Sequence, residues 1–102
     1  KDYYIKNKKN EHNRYLKKTY GISLKDKEVM LRSQDFKCAI CGCKLDLIHR
    51  KTHVDHNHDT GDVRGILCTL CNTLIGWAGE DKRTLLSAIS YLERATNDLH
   101  KY

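Results

Sequence analysis

Residues 52–72, from Thr52 to Asn72, read THVDHNHDTGDVRGILCTLCN. Two short runs, Thr52-His53-Val54-Asp55-His56 and Val63-Arg64-Gly65-Ile66-Leu67, flank the turn-forming cluster Asn57 to Asp62. Short β-branched runs around an Asn/Asp/Gly cluster predict a hairpin with a loop of several residues. The stretch closes on Cys68-Thr69-Leu70-Cys71, and the same spacing occurs upstream in Cys38-Ala39-Ile40-Cys41. A Cys-x-x-Cys knuckle brings two thiolates to one ion from a single tight turn, and two knuckles complete the tetrahedron of a structural zinc site. The 26 residues from Gly42 to Leu67 leave room for the whole hairpin. Zn²⁺ held by Cys38, Cys41, Cys68 and Cys71 would therefore clamp the hairpin's two ends together. Gly42 suits the close approach of backbone to sulfur after Cys41. Cys43 is read as a spare thiol. An odd cysteine count with four of the five in knuckles points to metal ligation in a reducing, intracellular compartment rather than to disulfides.

Outward from this clamp the chain reads as helical. Ser23 is a candidate N-cap, with Asp26 completing a capping box, for a helix running to about Gln34. Upstream, residues 3–20 interleave Lys and Arg with Tyr3, Tyr4, Tyr15 and Tyr20, and carry a faint helical spacing that Tyr20-Gly21 breaks. After the second knuckle a short helix is expected from Asn72 to about Ile75, ended by Gly76 and Gly79. From about Asp81, Leu85, Ala88, Ile89, Leu92, Ala95 and Leu99 form one apolar stripe at helical spacing. That stripe, with Trp77, is expected to pack on the protein's own core. The expected organisation is a basic N-terminal arm (1–22) and a zinc-stabilised domain (23–102). At 102 residues the apolar core is small, which is the condition a metal staple relieves.

The formal net charge is +6, and residues 1–20 hold seven Lys/Arg against Asp2 and Glu11, a local excess of +5. Lys8, Lys9, Arg14, Lys17 and Lys18 are the candidate contacts to a polyanion in that arm. No apolar run approaches the ~20 residues a membrane span requires. The chain opens on Lys1 rather than Met, which suggests a trimmed N-terminus.

Several motifs together resemble the phage recombination endonuclease VII family, a branch of the HNH (His-Me finger) nucleases. They are Tyr20-Gly21-Ile22-Ser23, Cys38-Ala39-Ile40-Cys41-Gly42, Asp55-His56, Val63-Arg64-Gly65, and Cys71-Asn72 followed by Gly76. The resemblance spans about residues 14–95. It implies a small α+β fold in which a zinc-stapled β-β-α-metal motif is flanked by helices. It further implies that Asp55 and Asn72 bind the catalytic metal and that His56 is the general base. Those residue types suit the chemistry. Mg²⁺ or Mn²⁺ prefers oxygen ligands and takes only one or two from the protein when phosphate supplies others. An imidazole with an ordinary pKa near 6.5 can take a proton from water at neutral pH.

One geometric demand follows. Successive strand residues face opposite ways, so the strand must end or bulge near Asp55-His56 if both are to serve one site. His58 is a candidate second base or phosphate contact, or else a loop residue making ordinary hydrogen bonds. His53 is read as structural. Arg64 has a planar fork suited to a phosphate of the nucleic acid, or to a salt bridge with a neighbour such as Asp62. Some relatives carry an acidic residue shortly after the asparagine, where this chain has Thr73, Leu74 and Ile75.

The reading is a metal-dependent DNA endonuclease, which the resemblance implies leaves a 5′ phosphate, with branched DNA as its favoured substrate, in the cytoplasm of a bacterial or phage-infected cell. Its rivals are a nicking or double-strand HNH enzyme of homing or defence type, and a non-catalytic zinc module that binds nucleic acid. A homodimer is left open, since symmetric cleavage of a junction needs two active sites.

Overall fold

A computed structural model describes residues 2–94. Its element order is α1 (Asp2–Tyr20), α2 (Leu24–Ser33), β1 (Thr52–His56), β2 (Val63–Cys68), α3 (Thr69–Trp77) and α4 (Lys82–Glu93). The architecture is thus small α+β, with four helices and one two-stranded antiparallel sheet among the described residues. The chain divides into two compact units, 1–72 and 73 onward.

In the first unit the basic segment is a full helix, well beyond the faint helical signal of its apolar spacing. It is anchored by tertiary contacts. Leu16 is buried, and Asn13 Oδ1 accepts from the Leu24 backbone amide at 2.7 Å. Lys27 of α2, also buried, lies with Nζ 2.9 Å from His12 Nε2. Gly21, at φ +73°, ends α1 with its amide on the Lys17 carbonyl, the left-handed closure that favours glycine. The capping box at α2 forms as read. Asp26 N donates to Ser23 Oγ at 3.0 Å, and Ser23 N donates to Asp26 Oδ2 at 2.9 Å.

The core of this unit is short: Leu16, Leu31, Leu45, Val54, Ile66 and Leu67, together with Cys38, Cys68 and Cys71. Gln34, just past α2, stitches it to β2. Its side-chain amide donates to the Ile66 carbonyl at 2.9 Å while its oxygen accepts from the Ile66 amide at 3.0 Å. A Cβ at Gly65 would stand 3.3 Å from that Gln34 oxygen, which is why a residue without a side chain fits there.

The later helices depart from expectation. α3 begins at Thr69, three residues earlier than read, because the second knuckle is itself the helix's first turn; Cys71 N donates to Cys68 Sγ at 3.4 Å. It also runs through Gly76 and closes at Gly79 and Glu80, both at positive φ, with Glu80 N on the Ile75 carbonyl. α4 starts at its Asp81 N-cap as read, but none of its residues is buried, and Leu86, Ile89, Tyr91 and Leu92 are exposed. Trp77 is 89% exposed, not core. In the second unit the described residues are one helix and the tail of another, too little surface to enclose an apolar stripe or an indole. Ala95 and Leu99 of the stripe lie outside the described residues.

Candidate metal centre and active site

Cys38, Cys41, Cys68 and Cys71 converge with their sulfurs within 4.8 Å of one another, and the Cys41 and Cys68 sulfurs are 3.7 Å apart. A zinc ion with four sulfurs at ~2.3 Å sets them about 3.8 Å apart, so the donor set fits a tetrahedral ion. The local turn follows from the sequence. Gly42, at φ +79°, lets its amide return to the Cys38 carbonyl at 3.0 Å, and Cys38 N donates to the Cys43 carbonyl at 2.8 Å. Backbone amides are already aimed at the thiols. Burial raises the pKa of Cys38, but the amides of Cys68, Cys41 and Ile40 outweigh it and hold the thiol down to about 6. Cys43 lies outside the cluster, pushed up to about 12 chiefly by the neighbouring Cys41 thiol.

The hairpin between the knuckles pairs Thr52 with Cys68 and Asp55 with Gly65, and then slips, so that His56 pairs with Val63. The strand carrying the dyad thus ends at His56, and the register slips there with Arg64 as the extra residue on the partner strand β2. β1 stops after the dyad because Asn57 turns the chain: its Oδ1 accepts from Asp59 N at 2.8 Å and Thr60 N at 3.1 Å, and its amide meets the Asp62 carbonyl.

Arg64 lays its fork on Asp55, with Nε 2.8 Å from Oδ2 and Nη2 3.1 Å from Oδ1, and Nη2 also reaches the His56 carbonyl at 3.2 Å. Arg64 therefore forms an ion pair with a neighbouring carboxylate, that of Asp55. The His56 ring meets two others, 4.6 Å from His58 and 5.4 Å from Tyr20 by centroids. Tyr20 also meets the exposed Tyr15 edge-on at 6.1 Å. His53 Nε2 lies 2.9 Å from Thr69 Oγ1, tying β1 to the first residue of α3, in keeping with a structural role. Asn72 is half-buried on α3, one residue past Cys71. Lys8, Lys9, Arg14, Lys17 and Lys18 are all exposed along α1.

Asp55, His56, His58 and Arg64 thus come together at the bulge. The sequence reading missed Tyr20, although it quoted that residue in a motif, and it missed Gln34. No helix among the described residues is long and apolar enough to cross a membrane.

Comparison with known proteins agrees with these motifs. The profile of the recombination endonuclease VII family matches residues 13–94. The "Gene 59 protein" of Mycobacterium phage D29 is 39% identical over 77 residues, covering 74% of this chain and 46% of that protein. The "Gene 59 protein" of Mycobacterium phage L5 is 39% identical over 75 residues, covering 72% and 45%. The chain therefore spans a little under half the length of these relatives. With most of its length inside the family profile, and its cysteine knuckles and Asp55-His56 bulge within that span, the chain belongs to the recombination endonuclease VII family.

Proposed function

We propose that this chain is the nuclease domain of a metal-dependent DNA endonuclease of the His-Me finger type, cutting phosphodiester bonds in branched DNA. What supports the reading is the cluster at the bulge between the knuckles, where Asp55 pairs with Arg64 and the His56 ring meets the rings of Tyr20 and His58. Asp55 and Asn72 are the groups to hold Mg²⁺ or Mn²⁺; one carboxylate and one amide suit an ion that keeps most of its shell for water and phosphate. Bound there, the ion supplies charge to the scissile phosphate and the departing 3′ oxygen. His56 accepts the proton of the attacking water at a ring nitrogen. The rings of His58 and Tyr20, both in contact with it, limit its movement. The product carries a 5′ phosphate. Zn²⁺ on the four cysteines is structural, and thiolates of this kind suit a reducing intracellular compartment.

The test is incubation of the zinc-loaded protein with supercoiled plasmid and with a four-way junction, in Mg²⁺, Mn²⁺ or EDTA. Divalent-dependent cleavage, faster on the junction, is the expected result. Cleavage of plasmid alone would point to a nicking or double-strand enzyme, and binding without cleavage to a zinc nucleic-acid-binding module.

The basic helix is proposed to hold DNA without entering the chemistry. Because Leu16 is buried, removing α1 would damage the fold, so its exposed charges are the ones to change. Neutralising Lys8, Lys9, Arg14, Lys17 and Lys18 together to Gln should flatten the log-affinity against log-salt slope by about 3–4 units, as if four phosphates lost their partners. A salt titration of binding in a His56→Ala background reads this directly. An unchanged slope would make α1 a solvated face and move the contact elsewhere.

A further inference from the structure

We infer that Arg64 is a positioning residue that fixes the Asp55 carboxylate for metal binding while weakening the affinity for that metal. The inference rests on the proposed role of Asp55 as a metal ligand. Arg64 is the extra residue of the bulge, set on β2 where the register slips between Asp55 and His56. Its guanidinium meets both Asp55 oxygens and the His56 carbonyl, so a single planar group ties the carboxylate to the backbone of the neighbouring base. The Asp55 side chain is only 13% exposed and that of Arg64 36%. The pair is therefore shielded enough for its charge to matter, and the fork fixes direction as well as distance. A guanidinium here opposes a divalent cation on the same carboxylate. The two effects of Arg64 then have opposite signs, ordering the ligand and repelling the ion. A residue that merely supports the fold would move affinity and turnover in the same direction.

The experiment measures Mn²⁺ binding to zinc-loaded protein by electron paramagnetic resonance, beside single-turnover cleavage of junction DNA at saturating Mn²⁺. Arg64→Ala should bind Mn²⁺ roughly tenfold tighter, the order of effect of removing one nearby charge from a partly exposed site. It should cleave roughly a hundredfold more slowly, the scale of a catalytic group left loose by about an ångström. Arg64→Lys keeps the charge and loses the fork, so its Mn²⁺ affinity should stay near the parental value while cleavage falls. Added guanidinium ion should restore part of the Arg64→Ala rate. Mn²⁺ affinity that is unchanged or weaker in Arg64→Ala overturns the proposal, and so does parental cleavage. Weaker DNA binding with unaltered Mn²⁺ binding would make Arg64 a phosphate contact instead. Asp55→Asn separates the two readings. If it binds Mn²⁺ as the parent does, the metal-ligand role of Asp55 fails; if it abolishes binding, the Arg64 variants judge this inference alone.

Discussion

Withdrawal of zinc by a strong chelator should unfold residues 1–72 cooperatively, with loss of helical circular dichroism in step with release of the ion. Six apolar side chains and three cysteines make up the buried core of that unit, which is little for so many residues. A structural zinc site contributes roughly 10 kcal/mol or more of apparent binding free energy, comparable with the whole ~5–15 kcal/mol stability of a domain. The knuckles also join the turn after α2 to the end of β2, so an ion bound there would hold elements far apart in sequence. Ser at Cys38, Cys41, Cys68 or Cys71 should abolish the cooperative transition, whereas Cys43→Ser should leave it. A zinc-free protein that still melts cooperatively near the parental temperature would sink this account.

The second large effect is catalytic. His56→Ala should reduce turnover by ~10²–10⁴-fold, the usual loss for a general base, while zinc content and DNA affinity persist. Asp55→Ala and Asn72→Ala should also alter the dependence on divalent ion, which His56→Ala should not. The comparison to run is single-turnover cleavage across a Mg²⁺ titration for all three variants. Parental turnover in His56→Ala would transfer the base to His58, whose ring lies 4.6 Å away.

What the sequence disclosed was mostly what short stretches decide. The knuckles, the Ser23 box and the Asn57 turn each depend on residues within four positions of one another, and each forms as read. That the strand must end or bulge near the dyad was legible from its period of two. That the extra residue at the slip would be Arg64, and that Arg64 would choose Asp55, depends on cross-strand register, which no local pattern states. α1 was faint because few apolar residues fix it. Leu16, Asn13 and His12 hold it through partners 11 to 15 residues away or in the core. Tyr20 reaches His56 across 36 positions by the same tertiary route. The apolar stripe of α4 forms at the expected spacing, yet periodicity names a face without naming what covers it. The roles proposed for Asp55, His56 and Asn72 rest on chemistry and family rather than on any local pattern.

The buried Lys27 against His12 gives the seam between α1 and α2 a sensitivity to acid. Burial lowers Lys27 from its ordinary 10.5 to about 8, and burial followed by the charge of Lys27 lowers His12. Both groups hold protons less readily folded than unfolded, so the unfolded chain takes up more of them, between about pH 8 and 10.5 for the lysine and around and below 6.5 for the histidine. Native stability therefore climbs with pH through each window, and folding of the seam expels protons. Acidification works the other way. It weakens the seam between α1 and α2, and α1 ends at Tyr20, whose ring meets that of His56.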